Sequence, residues 1–104
     1  DLSYNSAVEI SSYITADGPK PITFGKFPNA GQRGYIQIMK AMEELTVEAA
    51  VTGNYYTALQ AFVTNPLVPG TGIGRKVLNE LLDAHEKYLP QFKDYYENRE
   101  KYKK

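Results

Sequence analysis

Three glutamates on one predicted helix are the residues whose types and spacing most resemble acid–base machinery. Glu43, Glu44 and Glu48 lie close together in the run MEELTVE. Glu44 and Glu48 share a helix face one turn apart, and carboxylates held in this way can transfer protons as general acids or bases. A solvated helix face explains the same pattern more simply, so we favour it over a catalytic pair.

Arg33 is the candidate for binding an anion. It lies between glycines in the run Gly31-Gln32-Arg33-Gly34, near the start of a predicted helix. Backbone N–H groups and the helix dipole attract negative charge at such a position. An ordinary surface or interface arginine remains the favoured interpretation.

A second glycine-rich run, Gly70-Thr71-Gly72-Ile73-Gly74-Arg75, superficially resembles a phosphate-binding loop. It lacks the preceding strand and the full glycine spacing of dinucleotide-binding and phosphate-binding motifs. We interpret it as a flexible helix start.

His85 is the single histidine of the chain. The nearest acids, Asp83 and Glu86, are poorly placed to share a helix face with it, so a metal site is not favoured. A histidine that is partly buried, or that stabilises a helix C-terminus, is the simpler interpretation. The nine tyrosines are scattered along the sequence, and their spacing reveals no stacking platform for bases or sugars.

The composition limits the classes of partner. The 104 residues suffice for one domain with a modest core, and the absence of cysteine excludes disulfides, thiol nucleophiles and cysteine metal sites from this chain. Twelve basic and twelve acidic side chains balance, which argues against nucleic acid or an anionic membrane as the main partner. No apolar run approaches the ~20 residues of a membrane span, and no signal peptide opens the chain. We expect a soluble, cytoplasmic protein.

The N-terminal part of the sequence predicts a β-hairpin. Residues Ser6–Thr15 alternate as a strand does, Asp17-Gly18-Pro19 is a turn signal, and Pro21–Gly25 is a plausible return strand. A lone two-stranded hairpin is marginally stable in water, so we expect it to pair with or pack on something else. The start at Asp1 rather than methionine points the same way, to a piece of a longer chain.

The first predicted helix opens between Ala30 and Gly34 and ends near Thr52, where Gly53 provides a left-handed cap. Its apolar positions follow the three-and-four spacing of a buried stripe. They are Tyr35, Ile38, Met39, Met42, Leu45 and Ala49.

Asn54 is predicted to cap a second helix, which Asn65-Pro66 ends. Pro66 and Pro69 then hold Leu67 and Val68 in an extended loop that plugs a core or a partner surface.

A third helix is predicted after Gly70-Thr71-Gly72, and Pro90 marks a break or restart. The third helix presents an apolar face made of Ile73, Val77, Leu78, Leu81, Leu82 and Ala84. Gln91–Lys104 is predicted as a charged helix with a frayed end, whose sparse aromatic stripe is Phe92, Tyr95, Tyr96 and Tyr102. The predicted fold class is α+β, mostly α, with an N-terminal β-hairpin followed by three to four packed helices.

Several runs of this sequence resemble one enzyme family at matching spacings. LTVEAAVTGNYYTALQAFVTNPLVP, followed by VLNELLDAHEKYLPQF, is similar to the C-terminal region of glycoside hydrolase family 4, the NAD-dependent glycosidases. The preceding run SAVEISSYITADGPKPITFGKFP resembles their 6-phospho-β-glucosidase branch. The resemblance extends from about Ser6 to Phe92 in one register.

The resemblance implies an enzyme with an N-terminal dinucleotide-binding Rossmann domain and a second domain like the C-terminal part of lactate and malate dehydrogenases. Family members cleave phosphorylated disaccharides by oxidation, elimination, addition and reduction, with NAD⁺ taking a hydride from the sugar. A divalent metal, usually manganese, is held by a cysteine and a histidine and acidifies the neighbouring C–H, from which a tyrosine removes the proton.

No catalytic, cofactor-binding or metal-binding residue is assigned to this chain by the resemblance. The glycine-rich NAD fingerprint, the cysteine ligand and the base belong upstream of Asp1 in the family. His85 matches the family's late AHxxYLPQF helix and is therefore structural.

The resulting hypothesis is that residues 1–104 form a single C-terminal substrate and oligomerisation domain fragment without the Rossmann domain. It would be inactive alone, with the N-terminal part of the same enzyme and further copies as partners. The rival is a stand-alone helical protein-interaction module without catalysis, which would be a compact, cooperatively unfolding monomer. A third, weaker alternative is a small acid–base enzyme built on Glu44 and Glu48.

Overall fold

The computed structural model describes residues 2–103, in which a two-stranded hairpin precedes five α-helices. The elements are β1 Ser12–Thr15, β2 Gly18–Pro21, α1 Ala30–Thr52, α2 Tyr55–Thr64, α3 Thr71–Ala84, α4 Lys93–Glu97 and α5 Arg99–Tyr102. Two 3₁₀ turns, Glu86–Tyr88 and Pro90–Phe92, connect α3 to α4. The chain divides into two compact units between Gln37 and Ile38, inside α1. The mostly helical architecture with an N-terminal hairpin is confirmed, whereas the likeness to lactate and malate dehydrogenases stays a prediction.

The first unit contains the antiparallel hairpin, with Ser12 opposite Pro21 and Thr15 opposite Gly18. Gly18 closes the turn with a φ of 101°, which a residue with a side chain rarely adopts. The Thr15 hydroxyl donates to the Gly18 carbonyl over 2.8 Å. The turn is thereby fixed by two neighbouring residues and needs no tertiary support.

Both strands are shorter than the sequence pattern predicted, and the return strand is shifted. Pairing starts at Ser12 rather than Ser6, and β2 is Gly18–Pro21 rather than Pro21–Gly25. Pro19 and Pro21 have no N–H to donate, which limits the hydrogen-bond ladder. On β1, Tyr13 and Ile14 are 70% and 81% exposed.

The second unit begins with a tight connection between α1 and α2. Gly53 has a φ of 68°, and its N–H donates to the Ala49 carbonyl over 2.8 Å. The Asn54 side chain then accepts hydrogen bonds from the N–H groups of Tyr56 and Thr57, which caps α2. The predicted cap glycine and cap asparagine are both confirmed.

The end of α2 is confirmed at Asn65, and the loop after it is a turn held by that residue. Asn65 Oδ1 accepts from the Leu67 N–H over 2.9 Å. Leu67 is 87% exposed, whereas Val68 is half-buried. Of the two residues predicted to plug a core or partner surface, only Val68 lies against the helices.

The core lies entirely in the second unit and is smaller than the predicted apolar stripes. Only Ala49 of the α1 stripe is fully buried, while Tyr35 and Ile38 are 58% and 41% exposed. Of the predicted apolar positions of α3, Leu78 and Leu82 are buried. The other predicted positions are exposed: Ile73, Val77 and Leu81, at 52%, 40% and 41%, and Ala84.

The C-terminal segment differs most from the prediction of a helix with a frayed end. It is divided into a 3₁₀ turn, α4 and α5, because Asn98 leaves helical geometry between the two helices. Tyr95 and Tyr102 are 1% and 2% exposed, which makes them among the most buried residues described. These two tyrosines hold the segment against the core, and fraying of its end stays a prediction. Lys104, the last residue of the predicted helix, lies outside the described residues.

Gly53 also marks a close approach of two backbones, which gives a direct test of the fold. A Cβ at Gly53 would overlap the Gln91 carbonyl and lie 3.1 Å from the Phe92 nitrogen. We expect Gly53→Ala to lower the free energy of unfolding by about 3 kcal/mol or more, because overlap and a strained φ add together. Urea unfolding followed by circular dichroism measures this change.

Gly72→Ala is the matched control, since a Cβ there meets no atom within 4 Å. It should leave stability unchanged or raise it by about 0.5–1 kcal/mol. Equal effects of the two substitutions would contradict the close approach.

Candidate functional site

The glutamates predicted as a possible acid–base pair lie on the outside of α1. Glu44 and Glu48 are exposed. Glu43 is half-buried and forms an ion pair with Lys40 at 2.7 Å. This placement fits a solvated helix face.

Arg33 lies exposed in the first turn of α1. The Asn29 side chain accepts a hydrogen bond from the Gln32 N–H over 2.9 Å, and the Asn29 carbonyl accepts from the Arg33 N–H over 3.2 Å. The Asn29 side chain therefore occupies one of the backbone donors that an anion would use at this helix start, and the Arg33 N–H already belongs to the hydrogen-bond pattern of the helix.

The glycine-rich run after Pro69 forms the start of α3. Gly74 is buried, and a Cβ there would lie 3.3 Å from Val68 Cγ1 and 3.4 Å from Val63 Cγ2. This glycine lets α3 approach α2 and the preceding loop closely. Its role in packing explains why glycine occurs there without a phosphate site.

His85 ends α3. Its N–H donates to the Leu81 carbonyl over 3.0 Å, and its ring Nδ1 lies 2.8 Å from the same oxygen. The exposed ring therefore stabilises the helix C-terminus, as the sequence interpretation favoured. Within residues 2–103, no three His, Cys, Asp or Glu side chains group closely enough to hold a metal ion. In the same part of the chain, no helix has the length and apolar character needed to cross a membrane.

Three tyrosines from α2, α4 and α5, namely Tyr55, Tyr95 and Tyr102, pack together in the core of the second unit, and we call them the tyrosine cluster. The rings of Tyr55 and Tyr95 stack at 5.5 Å with an angle of 3° between their planes. The Tyr102 ring lies 4.2 Å from that of Tyr55 and 5.7 Å from that of Tyr95. Stacked and tilted aromatic pairs at these distances stabilise a core beyond their buried area.

Asn79 of α3 supplies hydrogen bonds to all three tyrosines. Tyr55 Oη donates to Asn79 Oδ1 over 2.7 Å, and Asn79 Nδ2 donates to the Tyr102 carbonyl over 3.2 Å. Tyr95 Oη lies 3.3 Å from the Asn79 carbonyl and 3.2 Å from Asp83 Oδ1. Among the described residues, every buried side-chain nitrogen and oxygen has a partner.

Charged side chains surround the tyrosine cluster on its solvent side. Arg99 Nε donates to Asp83 Oδ1 over 2.9 Å, and Arg99 Nη2 donates to Glu86 Oε2. Tyr102 Oη donates to Asp94, whose carboxylate also faces Lys101 Nζ at 3.5 Å. These pairs fasten α4 and α5 to the end of α3.

The environment of the tyrosine cluster makes its hydroxyl groups weak acids. Burial, assisted by the Asp83 charge, raises the pKa of Tyr95 to about 12. Burial also raises the pKa of Tyr55. The hydrogen bond between Tyr102 and Asp94 raises the pKa of Tyr102 and lowers the pKa of Asp94. A tyrosine that acts as a base must give up its proton near the working pH, so the arrangement favours a structural role.

The sequence prediction of no stacking platform among the tyrosines did not anticipate the tyrosine cluster. Tyr95 and Tyr102 belong to the predicted aromatic stripe, but the helix breaks at Asn98 between them, so helical periodicity alone does not bring them together. Tyr55 comes from a helix forty residues earlier than Tyr95. Only the tertiary fold brings that ring to the other two.

A second feature of this unit is an apolar groove formed along α1, α2 and α3. A pocket of about 190 Å³ is lined by residues that include Thr46, Ala50 and Leu81. A neighbouring pocket of about 230 Å³, lined in part by Met42 and Val68, shares Thr46, Ala61 and Phe62 with the first. We call the residues that line these two pockets the helical groove.

One family model matches most of the chain. The model described as "Family 4 glycosyl hydrolase C-terminal domain" matches residues 1–68. That range includes the hairpin, α1, α2 and the loop after α2.

Individual relatives match a larger part of this chain but only a small part of their own length. The "Probable 6-phospho-beta-glucosidase" of Bacillus subtilis is 49% identical over 88 residues, which are 85% of this chain and 20% of the relative. The "Maltose-6'-phosphate glucosidase" of Fusobacterium mortiferum is 33% identical, over 83% of this chain and 19% of the relative. The chain thus spans about a fifth of the length of the curated relatives it matches.

A solved structure shares the fold. A 6-phospho-alpha-glucosidase from gut microorganisms, in complex with NAD and glucose-6-phosphate, superposes with a TM-score of 0.71 at 34% identity. The superposition covers 77% of this chain and 18% of the solved chain.

The raised pKa of Tyr95 predicts a loss of stability in alkali. The unfolded chain loses this proton near a pH of about 10, whereas the folded chain keeps it up to about 12. Stability is therefore intact below about pH 10 and falls between about pH 10 and 12, because the native state then binds more protons than the unfolded state. Thermal unfolding measured at a series of pH values follows this fall.

Tyr95→Phe should make the alkaline fall shallower, and it should lower stability at neutral pH by about 1 kcal/mol through the lost hydrogen bonds. Tyr88→Phe is the control, since Tyr88 is 67% exposed. Parallel pH curves for wild type and Tyr95→Phe would show that this group does not cause the loss.

Proposed function

The chain belongs to the family 4 glycosyl hydrolases, and we propose that its parent is a 6-phospho-beta-glucosidase that hydrolyses phosphorylated disaccharides. The observation that carries the proposal is the 49% identity over 88 residues to the "Probable 6-phospho-beta-glucosidase". Identity over so much of this chain supports a shared parent enzyme as well as a shared fold.

The difference in identity between relatives favours the β-glucoside branch over the α-glucoside branch. Relatives named for maltose-6'-phosphate or 6-phospho-alpha-glucosides are 28–33% identical over comparable lengths, against 49% for the β-glucosidase. The solved 6-phospho-alpha-glucosidase is 34% identical. The proposed preference for β-glucosides over α-glucosides rests on this difference in sequence identity.

We propose that the parent uses NAD and manganese in an oxidation–elimination mechanism, with both groups bound outside this chain. The residues here do not fit a manganese site, since the chain has no cysteine and residues 2–103 contain no grouping of metal ligands. Glu44 and Glu48 are exposed, and the cluster tyrosines Tyr55, Tyr95 and Tyr102 hold their protons tightly. The proposal therefore assigns no chemical step to the described residues.

The proposed role of the chain is to complete the substrate domain, cover the catalytic cleft and supply subunit contacts. In this proposal residues 1–104 are a C-terminal domain fragment, and the Rossmann domain belongs to the N-terminal part of the same cytoplasmic enzyme, which forms homo-oligomers. Support comes from the large apolar side chains that stay exposed, among them Ile14, Val51 and Ile73 at 81%, 77% and 52%. Contiguous exposed apolar surface marks interaction sites, and in this proposal these side chains contribute to such contacts.

One observation favours the rival, a stand-alone helical interaction module. The tyrosine cluster belongs to the core of the second unit. Among the described residues, the buried side-chain nitrogen and oxygen atoms all have hydrogen-bond partners. A module of this kind would unfold cooperatively as a monomer. Sedimentation of the isolated chain at several concentrations distinguishes it from a fragment that associates through its exposed faces.

The proposed function predicts that catalysis requires the rest of the enzyme. The isolated chain, given NAD⁺, Mn²⁺ and a 6-phosphorylated aryl β-glucoside, should release no aryl alcohol above background. The full-length parent should release it, and should act more slowly on the matching α-glucoside. Turnover by the isolated chain would refute the division of roles, and an inactive parent with both anomers would refute the proposed activity.

A further inference from the structure

The helical groove is continuous along one side of α1. Its two pockets share Thr46, Ala61 and Phe62, and its α1 lining runs from Met42 to Ala50. At a rise of about 1.5 Å per residue, these positions span about 12 Å. The groove therefore has room for a short segment of another element.

The size and chemistry of the helical groove favour an apolar side chain over a sugar phosphate as its occupant. The pockets have volumes of about 190 Å³ and 230 Å³, whereas small-molecule sites usually range from about 300 to 1,000 Å³. A cavity of about 150 Å³ is enough to hold one aromatic ring. Each pocket thus fits about one large apolar side chain.

The polar groups that line the helical groove are already engaged. The Thr46 hydroxyl donates to the Met42 carbonyl over 2.8 Å. Asn65 Oδ1 accepts from the Leu67 N–H over 2.9 Å, and Asn65 Nδ2 lies 3.1 Å from Met42 Sδ. Because an entering polar group would find few free partners, an apolar occupant is favoured.

An exposed apolar ridge on α3 continues the surface. Leu81 lines the first pocket and is 41% exposed. Val77 and Ile73 precede it by one and two turns, and they are 40% and 52% exposed. Residues at this spacing share one face of a helix, so the ridge and the pocket form one apolar surface.

We propose that the helical groove receives an apolar segment from the upstream part of the same polypeptide, with one large side chain in each pocket. This inference rests on the proposed function, in which this chain is about a fifth of the enzyme. The α1 lining of the groove spans only about 12 Å, which is short for the ~1,000 Å² that a stable interface between separate chains needs. A tethered segment, however, is present at an effective concentration in the millimolar range, so a contact of this size is sufficient.

The test uses the full-length parent with the photocrosslinking amino acid p-benzoylphenylalanine at the position of Ala50. Ala50 is exposed and lines the first pocket, whereas Ala41 is exposed on another face of α1 and is the matched control. After irradiation, the Ala50 position should crosslink to a residue upstream of Asp1 in the same molecule, without a change in chain mass on a denaturing gel. The Ala41 position should not give this crosslinked peptide.

Two outcomes would overturn the proposal. A covalent dimer formed only from the Ala50 position would mean that a second copy fills the groove. The same low crosslinking from both positions would mean that the groove is open to solvent in the enzyme.

A second pair of variants tests the docked segment by thermal stability, without the photocrosslinking amino acid. In the full-length enzyme, Ala50→Trp should lower the Tm by about 4 °C or more, because the new side chain displaces the docked segment. Ala41→Trp should leave the Tm unchanged. Equal Tm values for both variants would overturn the proposal.

The activity assay separates this proposal from the proposed function. A parent that hydrolyses the 6-phosphorylated β-glucoside but gives no intramolecular crosslink would refute only the docking of the segment. A parent that gives the crosslink but hydrolyses neither anomer would refute only the activity.

Discussion

The second unit depends on the hydrogen bonds that Asn79 makes to three tyrosines. Its side-chain oxygen accepts from Tyr55, its amide donates to the Tyr102 carbonyl, and its backbone carbonyl faces the Tyr95 hydroxyl. Burying a tyrosine hydroxyl without a partner costs about 1–3 kcal/mol. The Tyr55 and Tyr95 hydroxyls avoid this cost because α3 offers acceptors, and the Tyr102 hydroxyl avoids it by donating to Asp94. The short helices α4 and α5 contain five and four residues, and helices of that length are not stable alone. Their positions are therefore set by the tyrosines they carry.

The parts of the fold that the sequence predicted correctly are those decided by a few adjacent residues. Gly53 ends a helix because its φ is positive, and Asn54 starts the next because its side chain accepts two N–H groups. The tyrosine cluster depends on residues that are far apart in the sequence. The extent of the hairpin depends on the backbone N–H groups that the prolines of β2 lack. The apolar stripe of α1 was located correctly, but periodicity does not say whether another element covers it. Tyr35 and Ile38 belong to that stripe and are exposed.

Function followed a different route from fold. The residues with suitable chemistry, Arg33, His85 and the glutamates of α1, proved to be exposed side chains or helix-end groups. The family was recognisable because whole runs of sequence matched in one register, and the family model over residues 1–68 agrees with that resemblance. The functional argument therefore rests on the family relationship and not on a local motif among the described residues.

The burial of Tyr102 also has a consequence for the order of folding. Tyr102 contacts Asn79, which lies 23 residues earlier, and the ring of Tyr55, which lies farther still along the chain. Contacts between distant residues form late, because the loop between them must close before they contribute. The hairpin turn and the cap of α2 need no such closure and can form at once. We therefore expect α5 to dock last during folding and to detach first when the second unit opens locally, so that its amide hydrogens would exchange with solvent faster than those of α3.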